Sequence, residues 1–170
     1  LCRDKTPTQM KTFTTIILII LLHTNIMAKE IKTSIVIQAS PQKIWAILTN
    51  TQAYPNWNPF IKSIEGNLAV GAKIKARIEP PQAKGMTFTP TILKFETNKE
   101  FVWLGNLWFK GLFDGKHKFE LIDNGDGSTT FIQSEEFKGM LVPLFNKMLD
   151  NNTVKGFELM NQKLKELAEM

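Results

Sequence analysis

An α+β domain is the fold class that the sequence predicts: a curved antiparallel sheet of about seven strands wrapped around one long C-terminal helix, with two short helices after the first strand. Three observations predict it. Between residues 30 and 138, short segments carry apolar side chains at alternate positions, the period of a half-buried strand. The last thirty residues change to a spacing of three and four, with Phe145, Met148, Phe157, Met160 and Leu164 on one stripe. No repeat or linker divides the chain, so the sheet must bury its apolar face, and only the last helix is long enough to cover it.

The elements follow in order. In EIKTSIVIQA, from Glu30, the side chains of Ile31, Thr33, Ile35 and Ile37 share one side of a strand. Ser40 is a suitable N-cap and Pro41 a suitable first residue for a helix running to about Asn50, with Ile44, Trp45, Ile47 and Leu48 as its stripe. YPNWNPF, Tyr54 to Phe60, holds two prolines and two asparagines, so it is an ordered corner or a single helical turn, too apolar for an idle loop. Within it, Asn58 is expected to bond the backbone of the turn.

Six strand segments follow: IKSIEGN, KIKARIE, MTFTPTILKFE, EFVWLGNL, GKHKFELID and STTFIQSEEF. Pro90 places its strand at an edge or at a bulge, and NGDGS marks a hairpin between the last two. The closing helix has its apolar seam interrupted at Asn152 and Gly156.

Composition sets the limits. At 170 residues, 43% hydrophobic and 22% charged, the chain suits one globular domain with a substantial core. Residues 1–28 are set apart, because Lys11 precedes an apolar run from Phe13 to Leu22 that reads as a signal-peptide core with cleavage after Ala28. A start at Met10 would give an exported protein, a start at Met27 a cytoplasmic one.

Residues 29–170 then form a single domain with 18 basic and 15 acidic side chains. The charges alternate with apolar or opposite residues, which describes a solvated face and excludes a nucleic-acid patch. No segment of this domain suits stable membrane insertion. Cys2 is the one cysteine and His117 the one histidine after residue 28, so thiol chemistry and His-cluster metal sites are excluded. GLFDGK lacks the spacing of a phosphate loop and DNGDGS the acidic side chains of a calcium loop. No cofactor or metal is expected.

Strand parity gathers one polar group. His117, Phe119 and Leu121 share a face, and on the neighbouring strand so do Phe131, Gln133, Glu135 and Phe137. A short loop NGD sets His117 opposite Gln133, whereas a loop NGDGS sets it opposite Glu135. The three side chains either satisfy one another and hold the register, or orient a ligand, or move a proton.

From Glu30 to Glu169 the chain resembles the START/Bet v 1-like superfamily, in its polyketide cyclase/dehydrase and lipid-transport branch. IQASPQKIWAILTNTQAYPNWNPF is similar to the family's opening, and FDGKHKFELIDNGDGSTTFIQSEEFKGML to its closing hairpin. The resemblance implies a helix-grip fold with a largely apolar cavity between sheet and helix. Members include lipid carriers, hormone receptors, ring-closing enzymes and co-chaperone domains, so it implies a hydrophobic small molecule as partner more than a reaction.

The expected function is binding, carriage or sequestration of such a molecule. Its candidate wall is Trp57, Phe60, Phe88, Trp103, Phe113, Phe119 and Met148, with Asn152 either directed into the same space or solvated on a frayed face, and His117, Gln133 and Glu135 as the polar spot. Trp57 and Phe60 are expected to plug one end against Trp45, with plain core packing as the rival reading. Gly156 would make room or let the helix bend. The alternatives are a cyclase or dehydratase using His117 as acid/base with Glu135 orienting it, and a protein-interaction domain working through surface strands.

Overall fold

The computed structural model describes residues 28–170. The leader reading therefore lies outside the described residues, except that Ala28 already belongs to the first strand. In chain order the elements are β1 (Ala28–Ile37), α1 (Pro41–Thr49), a 3₁₀ turn (Thr51–Ala53), α2 (Tyr54–Trp57), β2 (Ile61–Glu65), β3 (Lys75–Ile78), β4 (Met86–Phe88), β5 (Thr91–Glu96), β6 (Glu100–Asn106), β7 (Asp114–Asp123) and β8 (Thr129–Lys138). A continuous C-terminal rod follows, made of α3 (Val142–Met148), one π turn (Leu149–Thr153) and α4 (Val154–Glu169).

All strand pairs are antiparallel, in a five-stranded sheet ordered β1-β8-β7-β6-β5 and a three-stranded sheet ordered β2-β3-β4. The described residues thus hold eight strands. MTFTPTILKFE, which reads as one strand, breaks at Thr89–Pro90 into β4 and β5. Pro90 has no N–H to give to a ladder, so the chain turns there from one sheet to the other. Its carbonyl accepts from Ile74 N–H at 3.0 Å, and Ile92 N–H donates to Ala72 O at 2.9 Å, which joins the sheets across the corner. Register shifts at Ile61/Ser63 and Ile92/Lys94 are bulges that add curvature.

The N-cap of α1 forms as expected, Ser40 Oγ accepting from Lys43 N–H at 3.4 Å. The rod lies across the inner face with Phe157, Met160 and Leu164 fully buried in one core cluster with Phe119 and Phe131 of the sheet. Its far end is tied to β1, since Asn161 Nδ2 donates to Thr33 Oγ1 at 2.9 Å and Lys165 Nζ to Val36 O at 2.7 Å.

Tyr54 anchors the aromatic corner. It is fully buried, and its hydroxyl donates to Leu48 O at 2.7 Å. Burial raises its pKa well above the ordinary tyrosine value. The native state therefore keeps this proton after the unfolded chain, which releases it near pH 10, has lost it. Stability is expected to fall as pH rises past about 10, by up to about 1.4 kcal/mol per unit from this group. Urea denaturation across that range should show the slope, and Tyr54→Phe should flatten it.

Candidate functional site

Between the bent sheet and the rod lies a cavity of about 90 Å³. It sits at one end of the domain, beneath the π turn, and its wall includes Phe60, Phe88, Trp103, Phe113, Phe137 and Met148. Further along the interface Phe157, Met160 and Leu164 are fully buried. Exposed Lys84 and Met86, with Pro80, form the mouth.

The hollow exists where the rod offers least bulk. In the π turn Leu149 and Thr153 face it, and an extra residue in a helical turn widens the local spacing of side chains. One turn later comes Gly156, whose missing Cβ leaves the niche taken by the Phe60 ring; a Cβ built there would overlap that ring. Phe60 also packs edge-on to Phe157 with centroids 5.3 Å apart, so it plugs the cavity at the corner.

The polar spot is assembled by the β7–β8 hairpin. The five-residue loop Asn124–Ser128 sets His117 opposite Glu135 and Phe119 opposite Gln133, the register of the longer loop. His117 Nδ1 lies 3.4 Å from Glu135 Oε2, and Gln133 Nε2 lies 3.4 Å from His117 Nε2. With the amide donating, Nε2 accepts and Nδ1–H points to the carboxylate, so both ring nitrogens are engaged by protein. The imidazole also stacks on Trp103 at 4.5 Å and 6°, and meets Phe119 and Phe157 edge-on. It is only 2% exposed.

Glu135 differs from its partner. Its side chain is 18% exposed, and Oε1 lies over Gly115, where a Cβ would come within 2.5 Å of it. Gly115 thereby leaves room for the carboxylate to reach the hollow. Both nitrogen contacts of His117 are long for hydrogen bonds.

Seven of the expected site residues line the cavity: Phe60, Phe88, Trp103, Phe113, His117, Glu135 and Met148. Four do not. Trp57 shares the face of its short helix with Tyr54, three residues earlier, and packs against that ring at 5.2 Å, away from the hollow. Trp45 pairs with Phe95 at 5.1 Å, so it is not a partner of the plug. Phe119 lies one inward position deeper than His117, enclosed by Trp103 and Phe131. Gln133, opposite it, is fully buried between His117 and Met160 Sδ.

Asn152 points outward from the space expected for it. Its Nδ2 donates to Pro81 O at 2.6 Å and braces the mouth loop against the π turn. Asn58 Oδ1 accepts from Phe60 N–H at 3.0 Å and Ile61 N–H at 2.8 Å, which sets the backbone that aims the Phe60 ring. Gly115 and Lys84 are wall residues that the sequence reading missed. Gly115 was within reach, since the alternation Gly115, His117, Phe119 puts it on the inward face; Lys84 lies on a loop, where no periodicity assigns a direction.

Among the described residues, no group of three His, Cys, Asp or Glu side chains could hold a metal ion, and no helix is long and apolar enough to cross a membrane.

An apolar hollow between a curved antiparallel sheet and a long terminal helix defines a helix-grip domain. The chain belongs to the polyketide cyclase / dehydrase and lipid transport family, whose model matches residues 28–169. Its fold is similar to that of the ZhuI aromatase/cyclase from a Streptomyces species, with a TM-score of 0.68 at 10% identity over 84% of this chain and 94% of that one. It is also similar to norcoclaurine synthase from Thalictrum flavum in complex with dopamine and hydroxybenzaldehyde, with a TM-score of 0.63 at 15% identity over 84% and 87%. The protein MLL2253 from Mesorhizobium loti gives 0.62 at 21% over 82% and 96%. No curated protein sequence matches the chain.

Proposed function

We propose that this domain binds a hydrophobic small molecule in its internal cavity and carries or sequesters it, with Glu135 as the group that orients it. The observation that supports this reading is a largely apolar wall that carries the His117–Glu135 couple on the sheet side, with Glu135 Oε1 over Gly115, itself a wall residue. Apolar burial supplies affinity and a few polar groups supply orientation, which is the usual division of labour in a ligand site. The second carboxyl oxygen, Oε1, which the contact with His117 leaves over, favours a ligand bearing a hydroxyl or amine donor.

The cavity of about 90 Å³ is smaller than the roughly 300–1,000 Å³ of drug-sized sites. A space of this size encloses one ring or a short chain, and a larger ligand extends past Lys84 and Met86 or displaces Phe60. Native mass spectrometry before and after organic extraction is the test. An apolar mass lost on extraction, with uptake of phenolic or long-chain alcohol probes reduced at least tenfold by Glu135→Ala, is the expected result. An unchanged mass together with no saturable uptake by the extracted protein would overturn the reading.

A cyclase- or dehydratase-type reaction in the same cavity is the second reading, favoured by the His117–Glu135 couple. In that case Glu135 exchanges the proton and His117 is a positioning residue, because both imidazole nitrogens are engaged and the ring is walled in by Trp103, Phe119 and Phe157. Turnover lost in Glu135→Gln while binding persists would favour it over carriage.

A further inference from the structure

We propose that the β6–β7 loop and the β8–α3 junction together form a peripheral docking surface for a membrane bearing anionic lipid headgroups. Four large apolar side chains project there: Trp108 is 75% exposed, Phe109 64%, Met140 65% and Leu144 74%. The two segments lie side by side, Met140 N–H donating to Gly111 O at 3.3 Å and Leu141 N–H to Leu112 O at 3.0 Å. Phe113 and Phe145, with centroids 5.0 Å apart, pack beneath them. Exposed apolar side chains scattered singly need no explanation, but a group of this size on adjacent segments marks an interaction site.

The loop holds its indole outward at a cost. Phe109 N–H donates to Leu107 O at 2.9 Å, closing a γ-turn on Trp108, whose φ is +62°. That turn form is strained, above all for a bulky residue. Trp108 is thereby presented to solvent instead of folding back onto the core.

Charge identifies the occupant. Lys110 and Lys147 are exposed on the same two segments, Lys147 one helical turn from Leu144. Asp114, the acidic residue of the loop, turns both carboxylate oxygens onto Gly111 N–H at 3.0 Å. The next acid along the rod, Asp150, is exposed but paired with Lys29 at 2.6 Å. An aromatic tip with lysines beside it and its nearest acids engaged by protein suits the boundary of an anionic bilayer, where indoles sit at headgroup level and lysines meet phosphate.

The surface also stands beside the cavity. Asn106 and Phe113, at the two ends of the loop, and Met148, at the end of α3, all belong to the cavity wall. Docking here brings the hollow to the bilayer, where an apolar ligand is dissolved. The docking itself depends only on the surface, so it stands or falls separately from the ligand reading.

The test uses the full chain and vesicles of phosphatidylcholine, alone or in equimolar mixture with phosphatidylglycerol, carrying brominated acyl chains that quench a tryptophan on contact. The expected result is quenching of Trp108, read as wild type minus Trp108→Phe, on the mixed vesicles and not on phosphatidylcholine alone. It should be reversed by salt and reduced by Lys110→Glu/Lys147→Glu. Trp108→Ser/Phe109→Ser should lower partition at least about tenfold, as expected for removing two buried rings, with the melting temperature unchanged. Three results would overturn the proposal: no Trp108 quenching even when the chain sediments with vesicles; partition undiminished in the double variant; or a dimer in light scattering that the double variant abolishes, which would assign the surface to a second copy of the chain.

Discussion

Phe60→Ala is expected to destabilise the domain by about 3–5 kcal/mol, the range for deleting a fully buried aromatic ring, and to enlarge the cavity at its corner. Phe60 is 2% exposed and fills the niche over Gly156 against Phe157. Gly156→Ala gives the contrasting half of the experiment. In an open helix that change is worth about 1 kcal/mol in favour of alanine, but here the new Cβ overlaps the Phe60 ring, so the overpacking cost of about 1–3 kcal/mol dominates. In the Phe60→Ala background the overlap is gone, and Gly156→Ala should become stabilising. A double-mutant cycle by urea denaturation reads this reversal of sign. Two independent, additive effects would refute the plug.

Gly139→Ala is the second large effect, with an expected loss of roughly 2–5 kcal/mol from backbone strain and steric overlap together. Gly139 joins β8 to the rod with φ at +138°, a conformation that L side chains rarely adopt. A Cβ there would meet the carbonyl of Leu112 and the amide of Phe113, which are backbone atoms and cannot turn aside as a side chain could. Gly127 serves as the control: its φ is +86°, yet nothing lies within 4 Å of a Cβ built on it. Gly127→Ala should therefore cost only the conformational part, about 1 kcal/mol. Equal midpoints for the two variants in urea would show that the β8–α3 junction is not tightly packed against the β6–β7 loop.

Much of this architecture is legible in the residues. The alternation in EIKTSIVIQA and GKHKFELID, the Ser40–Pro41 start and the terminal stripe each report a local preference that the tertiary structure then uses without conflict. The break at Pro90 was visible as a missing donor, but whether it meant an edge, a bulge or a passage between sheets depended on which carbonyl and amide groups came to face it across the corner. The site was half legible for the same reason. Parity sorts His117, Glu135, Phe113 and Trp103 onto inward faces; it does not say how far along each face the rod lies close, so Phe119 and Gln133, inward by the same rule, proved to be solid core.

What the sequence alone determined was the class of fold, the order of its elements and the gathering of one polar group on an apolar face, because periods of two and of three to four residues are properties of the chain itself. The tertiary structure decided where the hollow lies, how small it is and which polar atom reaches it. Those follow from distances between segments far apart in the chain: a π turn and Gly156 withdraw bulk from one end of the rod, Phe60 returns to fill part of that space, and Gly115 on the strand below leaves the Glu135 carboxylate free to face what remains.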